Sequence, residues 1–412
     1  MEEKTVIYII GAGVSGLIAA YELERAGYHP IVLEKTAEVG GRVKTIREKG
    51  YDLDLGFQVL LSAYPLATTY LDMEALQLRQ LESGALIYTE GRAYQIGDPL
   101  RNWKVFVPTF LARVGSLTDK LRIFKLNRRL QAKTIEEIFA SPETSTYDYL
   151  LDLGFSEKII ERFFRPFFAG IFLEPDLRTS SRMFEFVYKM FGEGYATIPA
   201  SGIGAISAQL KAKLKKTQFR FNCEVKEVTN EEIHLRNGER IAHEGLILSH
   251  DASRFLRNMT GQDVEWKSCM CLYFEVDRIN IPKDTIALLA DKDSYANNLY
   301  AYTDRTSGKT VLSVTSLRQQ GKSDQELIEK ISEEVKRLTS ARELHFIHSY
   351  RIDQALPDIQ DLKATVQASE CQLLDNVFLA GDYLLNGSLN AAMESGRLAA
   401  KAAVEKRKGI KA

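Results

Sequence analysis

The sequence has few cysteines and almost no net charge. Four cysteines in 412 residues are too few for a disulfide framework. Cys269 and Cys271 stand two apart in an apolar stretch, which predicts small core residues on one face of a strand and not a metal site. A formal net charge of −1 gives no indication of a nucleic-acid partner.

The sequence also lacks long apolar runs and metal-ligand motifs. No run reaches the length of a membrane-spanning helix, and the first predicted strand begins too near Met1 to leave room for a signal peptide. We therefore expect a cytoplasmic protein. The six histidines show no metal-ligand spacing, and no HExxH or Walker motif is present, so we expect no metal site.

The N-terminal segment predicts a dinucleotide site. Residues 6–10 form an apolar strand that leads into Gly11, Gly13 and Gly16, which have the G-x-G-x-x-G spacing. In such a turn the first glycine permits a tight bend and the second lets the backbone approach a pyrophosphate. The third lets the following helix pack close to the strand. That helix is predicted to end at Gly27.

A second apolar strand ends at Glu34, twenty-three residues after Gly11. A carboxylate there can accept hydrogen bonds from ribose hydroxyls and would repel a 2′-phosphate. Gly40, Gly41 and Arg42 follow, where the glycines can turn the chain back and the arginine can bond phosphate. This order of elements indicates an adenine dinucleotide.

These features together resemble the start of the flavin amine oxidase superfamily. That superfamily includes monoamine and polyamine oxidases, protoporphyrinogen oxidases and phytoene-desaturase-like enzymes. The chain matches its N-terminal pattern at Ile10, Gly11, Gly13, Gly16, Leu17, Ala19, Ala20, Leu23, Glu34, Gly40, Gly41 and Arg42. The resemblance implies FAD as the cofactor, with further contacts at Val14, Ser15 and Lys35.

A second motif of this superfamily lies near the C-terminus. An apolar strand ends at Gly381 and Asp382, and a helix is predicted to begin near Ser388. By resemblance, the aspartate bonds the ribityl or phosphate part of FAD. The helix start at Ser388, Leu389 and Asn390 would point its partial positive charge at the flavin ring.

Three more FAD contacts are implied by resemblance. Gly56 and Phe57 follow a strand similar to the segment that leads to the flavin ring, and Val225 matches a valine whose backbone bonds adenine in relatives. Gly202 and Gly204 do not form a second fingerprint, because proline and not a strand precedes them. We therefore expect no NAD(P)H-binding half.

The resemblance also implies the fold, an α/β architecture of the two-domain glutathione-reductase type. We expect a Rossmann-like FAD-binding domain from residues 1–62, 194–255 and 346–412. An α+β substrate-binding domain with a helical insertion would comprise residues 63–193 and 256–345. The oligomeric state is not predicted.

Two segments of the predicted substrate domain bear on the substrate. Residues 101–133 contain nine lysines or arginines and one acid among apolar residues. This composition fits either solvated helix faces or a surface that touches anionic lipid. Residues 162–173 are rich in phenylalanine and resemble a segment of the carotenoid-desaturase and protoporphyrinogen-oxidase branches. They predict either a buried plug or the aromatic wall of a substrate cavity.

The sequence offers one candidate catalytic residue, a lysine whose position depends on the alignment. Amine oxidases of the superfamily carry a lysine beside the flavin in a similar strand. The ungapped match places Ser268 at that position, with Lys267 one residue away. Because a one-residue offset on a strand turns a side chain to the opposite face, Lys267 is a candidate that depends on a gap in the match.

We predict an FAD-dependent oxidoreductase that takes a hydride from a mostly apolar small organic substrate to flavin N5, in the manner of a desaturase or dehydrogenase. The main alternative is a flavin-containing amine oxidase. An alternative of another class is a flavin-bearing lipid-binding or non-redox protein. We expect a hydrophobic small molecule as partner, no nucleic acid, and leave open a peripheral membrane contact through residues 101–133.

Overall fold

The computed structural model describes residues 6–97, 115–256, 263–317 and 321–409. The α-helices of these residues are α1 Val14–Arg25, α2 Pro65–Tyr70, α3 Leu117–Ala132, α4 Ile135–Phe139, α5 Thr146–Asp152, α6 Glu157–Ile159, α7 Arg165–Phe172, α8 Ser181–Glu193, α9 Ala205–Lys213, α10 Asp324–Thr339 and α11 Leu389–Arg407. The strands are β1 Tyr8–Ile10, β2 Ile31–Leu33, β3 Thr45–Glu48, β4 Tyr51–Asp54, β5 Leu60–Leu61, β6 Arg79–Gln80, β7 Gly84–Thr89, β8 Arg92–Gly97, β9 Ala196–Ile198, β10 Gln218–Arg220, β11 Val225–Val228, β12 Glu232–Leu235, β13 Arg240–Ala242, β14 Leu246–Leu248, β15 Trp266–Val276, β16 Ile286–Leu289, β17 Asn298–Thr303, β18 Thr310–Ser316, β19 Leu344–Pro357 and β20 Val377–Leu379.

A five-stranded parallel sheet has the order β10-β2-β1-β14-β20. Its central strands are apolar and buried, as expected of a parallel sheet covered on both faces. Helices α1 and α11 pack together beside it, and Gly396 permits their close approach. A Cβ at Gly396 would lie 2.3 Å from the Ser15 carbonyl oxygen. This sheet therefore joins the N-terminal fingerprint to the C-terminal helix.

A seven-stranded mixed sheet has the order β19-β15-β18-β17-β16-β7-β8. Cys269 and Cys271 are buried in β15, as the apolar pattern predicts. The amphipathic helix α10 buries Leu327, Ile331 and Val335 in the same core as this sheet. Strands β7 and β8 form an antiparallel hairpin, and β7 pairs with β16 in parallel.

Helices α3 to α8 form a helical layer with its own aromatic core. Phe164, Phe168 and Phe184 are almost fully buried in it. A π-helical turn, Ile160–Phe164, joins α6 to α7. Of the basic segment 101–133, residues 101–114 lie outside the described residues.

The predicted α/β character is confirmed.

The strand β19 pairs with β15 from Leu344 to Pro357. The domain boundary predicted between residues 345 and 346 therefore falls inside a strand of the seven-stranded sheet. The helices of the described residues include none that is long and apolar enough to cross a membrane.

Candidate functional site

A cavity of about 1110 Å³ lies where the parallel sheet, the seven-stranded sheet and the helical layer meet. Pockets for drug-sized ligands are usually about 300–1,000 Å³. This cavity is therefore larger than the usual site for one drug-sized ligand. The predicted cofactor-binding residues in its wall are Gly11, Gly13, Val14, Ser15, Glu34, Lys35, Gly41, Arg42, Gly56, Phe57, Val225, Asp382, Ser388 and Leu389.

Three predicted cofactor-binding residues lie behind this wall. Gly16 packs against the first turn, since a Cβ there would lie 2.1 Å from the Gly11 carbonyl oxygen. The backbone N–H of Gly381 donates to Ser395 Oγ at 2.9 Å. The side chain of Asn390 accepts from the backbone N–H of Leu66 at 3.0 Å. The contacts of all three residues therefore hold neighbouring elements of the protein together.

The glycine turn and the second-strand acid form one unit. Glu34 Oε2 accepts from the backbone N–H of Ala12 at 2.8 Å. Its Oε1 accepts from the backbone N–H and the hydroxyl of Thr36 at 2.9 and 2.8 Å. A carboxylate offers about four acceptor positions, so roughly one remains for a hydroxyl in the cavity. The acid thus fixes the turn and keeps limited capacity for a ribose.

An ion pair joins the two ends of the chain. Arg42 Nη2 lies 2.5 Å from Asp382 Oδ1, across 340 residues of sequence. The Arg42 guanidinium also lies 5.1 Å from the centre of the Trp266 ring and donates to the Ala355 carbonyl at 3.4 Å. Both charged groups line the cavity, so the pair fixes two predicted cofactor contacts relative to each other.

His250 lines the cavity, and its ring is held by the neighbouring backbone. Its Nδ1 accepts from the backbone N–H of Asp251 at 2.7 Å, so the neutral ring carries its proton on Nε2. Burial, and then the charges of Arg254, Lys35 and Arg42, lower the pKa of His250 to about 4. The imidazole is therefore neutral at pH 7.

Several hydrogen-bond donors in this part of the cavity lack an acceptor among the described residues. Lys35 and Arg254 line it, and neither forms an ion pair with another residue that the structure describes. Trp266 also lines the cavity, and its buried indole N–H finds no acceptor among the described residues. Buried donors without acceptors are rare. This surplus suits an acceptor-rich anion, and a pyrophosphate fits it.

The long helix α11 begins at the cavity. Ser388 caps it by accepting from the backbone N–H of Ala391 at 3.0 Å, and its hydroxyl donates to Asn386 Oδ1 at 2.7 Å. The next residue, Leu389, lines the cavity. The positive end of the helix dipole therefore points towards it, where it favours negative charge.

The structure places Lys267, and not Ser268, in the cavity wall. The pairing of β15 with β19 shifts register here, because Lys267 pairs with Leu356 while Cys269 pairs with Ile352. Lys267 Nζ lies 3.1 Å from Thr179 Oγ1 and 3.3 Å from Asp358 Oδ1. Of these two neighbours Lys267 is therefore the one that can meet a ligand in the cavity, and a role for Lys267 stays a prediction.

Helices α7 and α8 supply an apolar wall of the same cavity. The large apolar side chains that they contribute are Phe167, Ile171, Phe172, Met183, Val187 and Phe191. Phe164 and Phe168 are buried in the helical core instead. The phenylalanine run therefore forms a core plug on one side and a cavity wall on the other.

The sequence analysis did not identify His250, Arg254 or Trp266. The sequence could have indicated His250, because Ser249, His250 and Asp251 follow β14 at the carboxyl edge of a parallel sheet. Ligands of such sheets bind at that edge. Trp266 carried no comparable signal, because it reaches the site from the start of β15.

Known proteins resemble this chain in family and in local sequence. The family model described as flavin containing amine oxidoreductase matches residues 14–404. The chain is 40% identical over 74 residues to L-amino acid oxidase Cdc18 of Crotalus durissus cumanensis, over 18% of this chain and 15% of that protein. It is 32% identical over 120 residues to phytoene desaturase of Cercospora nicotianae, over 27% and 19%. The matches thus span less than a fifth of these relatives.

Solved structures share the fold over nearly the whole chain. An oxidoreductase from Methanosarcina mazei has a TM-score of 0.73 at 16% identity, covering 97% of this chain and 100% of that chain. A CLA-producing fatty acid isomerase from P. acnes has a TM-score of 0.69 at 16% identity, covering 96% and 98%. At this identity the likeness establishes a common mixed α/β fold.

Proposed function

Because the chain belongs to the flavin containing amine oxidoreductase family, we propose that it is an FAD-dependent oxidoreductase acting on a mostly apolar small organic substrate. The predicted superfamily and the predicted cofactor, FAD, are confirmed by this membership. The activity and the substrate class are the proposal.

One observation carries the substrate class. The apolar wall of α7 and α8 and the predicted FAD-binding residues belong to one cavity. Burying apolar surface against such a wall is favourable by about 25 cal/mol per Å². A substrate with a large apolar body is therefore retained beside the dinucleotide residues, whereas a small polar amine gains little from Phe167, Phe172 or Phe191.

The residues of the chain divide the work of binding and orientation. FAD, when bound, supplies the hydride acceptor, and the protein supplies position and electrostatics. Arg42, Lys35 and His250 would hold its phosphates. The start of α11, with its positive partial charge, would favour the negative charge of a reduced flavin in this cavity. The wall of α7 and α8 excludes water and holds the substrate C–H in place.

We also propose the finer description of the fold. The parallel sheet with α1 and α11 would be the FAD-binding domain of a glutathione-reductase-type flavoprotein. The seven-stranded sheet with the helical layer would be the substrate-binding domain. The register of β19 with β15 supports a boundary after Pro357 for the last crossing between them.

Anaerobic mixing of the FAD-loaded protein with two donor panels tests the proposal. One panel contains isoprenoid and other apolar donors, and the other contains primary and secondary amines. We expect apolar donors to bleach the visible flavin absorbance. Bleaching by amines alone would contradict the proposal, and bleaching by no donor would favour the non-redox alternative.

A second candidate, a flavin-containing amine oxidase, is favoured by the position of Lys267 in the cavity wall. The variant Lys267→Met separates the two. We expect it to change the rate of flavin reduction by an apolar donor less than threefold, since that hydride transfer needs no lysine. A loss of roughly 100-fold in amine-driven reduction, with Lys330→Met as the exposed control, would instead support the amine oxidase.

A further inference from the structure

Helix α3 presents a stripe of large apolar side chains to solvent. Leu117, Leu121 and Phe124 are 60%, 65% and 46% exposed. Spacings of four and three residues place them on one helix face. Seven large hydrophobic residues are exposed among the described residues. Three of them lie within these eight positions, so the stripe is not the usual scatter of single exposed hydrophobics.

Basic side chains flank this stripe. At 100° per residue, Lys120 and Lys125 lie on its two sides and Arg128 lies within it. The Arg128 guanidinium lies 5.8 Å from the centre of the Phe124 ring. Neither Lys125 nor Arg128 forms an ion pair with a described residue. The face therefore combines apolar surface with positive charge.

The acid of this helix does not neutralise the face. Asp119 is fully buried on the opposite side, where its carboxylate accepts from the backbone N–H groups of Ser116 and Ser156 at 2.8 and 2.9 Å. It closes the capping box that starts α3. The acid of α3 thus leaves the basic side chains of the outward face unneutralised.

The inner face of α3 is already packed. Leu126 and Leu130 are buried in the helical core. Glu185 of α8, itself buried, lies 3.0 Å from Arg129 Nη2 and 2.8 Å from Lys133 Nζ. These contacts hold α3 firmly on α8, so the exposed stripe is not a core face left uncovered by a loose helix.

We propose that this outward face of α3 docks on the surface of an anionic phospholipid bilayer. An apolar stripe flanked by lysine and arginine is the arrangement that places a helix in the membrane interface, with cations at the lipid phosphates. Charge complementarity favours lipid over a neutral apolar partner. The docking itself does not depend on the proposed activity.

Helix α8 lies between α3 and the substrate cavity. Helix α8 contacts α3 through Glu185 and lines the cavity with Met183, Val187 and Phe191. If the proposed function holds, a mostly apolar substrate partitions into the same bilayer on which α3 rests. Docking through α3 then holds the protein at the bilayer that contains the substrate.

Vesicle sedimentation of the FAD-loaded protein tests the docking. We expect binding to vesicles of phosphatidylcholine with phosphatidylserine, weakened by salt, and at least tenfold weaker binding to phosphatidylcholine alone. Each cation near such a surface contributes about fivefold, so Lys125→Gln with Arg128→Gln should weaken binding roughly 25-fold. Leu121→Gln with Phe124→Gln should weaken it by a similar factor, because the insertion of apolar groups is lost.

The control carries the same kinds of change elsewhere. Leu374→Gln with Lys336→Gln removes one exposed apolar and one exposed basic side chain away from α3 and should bind as the wild type does. Equal flavin content and melting temperature establish folding. Unchanged flavin reduction by a detergent-solubilised donor separates this surface from the proposed activity.

Three results would overturn the docking proposal. The first is binding that does not depend on anionic lipid, and the second is equal binding by the α3 variants and the wild type. The third is a dimer, detected by light scattering, that the Leu121→Gln and Phe124→Gln changes dissociate while no vesicle binding occurs. In that case a second copy covers the face.

Discussion

At the scale of single residues, Arg42 and Asp382 depend on each other. The sequence predicts each as a separate contact of the cofactor. The structure shows them 2.5 Å apart, so each also orients the other. Removal of either charge therefore affects two predicted contacts at once.

We expect Asp382→Asn to weaken FAD binding by the apoprotein about tenfold or more, because hydrogen bonds to charged groups contribute about 1.5–3 kcal/mol. Quenching of flavin fluorescence measures the dissociation constant. Asp375→Asn, which alters an exposed carboxylate paired with Lys406, is the control and should leave it unchanged. Equal affinity of Asp382→Asn and the wild type would show that the pair does not support the cofactor.

Two buried groups, His250 and Asp54, change the free energy of unfolding with pH in opposite directions. The pKa of His250 is lowered to about 4 by burial and by Arg254, Lys35 and Arg42. Between about pH 6.5 and 4 the unfolded chain binds a proton that the folded chain does not. The free energy of unfolding therefore falls by roughly 3 kcal/mol as pH drops through this range.

Asp54 acts in the opposite direction. Burial raises the pKa of Asp54 to about 6, against hydrogen bonds from Thr45 and Ile203. Its contribution to stability is present at low pH and is lost as pH rises through about 6. In urea titrations of the flavin-free protein from pH 7 to pH 4.5, His250→Gln should lose less stability than the wild type, and Asp54→Asn should lose more. Parallel curves for all three proteins would contradict these assignments.

The residues that local motifs predict best are those whose partners lie nearby in the chain. Glu34 and the glycine turn belong to one strand–helix–strand unit, and the acid bonds Ala12 and Thr36. His250 and Trp266 owe their place to tertiary packing of distant strands. Their position in the cavity could not be derived from a local pattern.

At the scale of secondary-structure elements, the phenylalanine run shows why two interpretations stood open. The turn before α7 and α7 itself are apolar on more than one face, so periodicity could not assign a single burial direction. One face packs against α8 inside the helical layer, and another lines the cavity. Each interpretation describes one face.

Two neighbouring variants separate these faces. Phe168→Ala should reduce the free energy of unfolding by about 3–5 kcal/mol, because it opens a cavity in the core. Phe167→Ala should cost less stability and should weaken binding of an apolar ligand about tenfold, because its ring lines the cavity. Urea unfolding and ligand titration check the two effects. The reverse order would assign Phe168 to the cavity and Phe167 to the core.

Lys267 shows a different limit. A strand period of two places Lys267 and Ser268 on opposite faces of β15, and Lys267 and Cys269 line the cavity. Which face of β15 meets the cavity depends on tertiary packing, and the sequence of β15 alone does not show it.

At the scale of the whole molecule, the parallel sheet collects strands from three separate parts of the chain. Strands β1 and β2 come first, β10 and β14 are added after the helical layer, and β20 closes the sheet. Local patterns predicted most of these strands, and the resemblance supplied their assembly. The path of β19 was less predictable, since its partner strand lies about eighty residues earlier in the chain.

The central claim is that one cavity holds FAD and an apolar substrate in contact. Spectral titration of the oxidised, FAD-loaded protein with an unreactive apolar ligand tests it most directly. We predict a saturable change in the visible flavin spectrum, with a dissociation constant raised about tenfold in Phe191→Ala. Ligand binding that raises the melting temperature but leaves the flavin spectrum unchanged would contradict the claim.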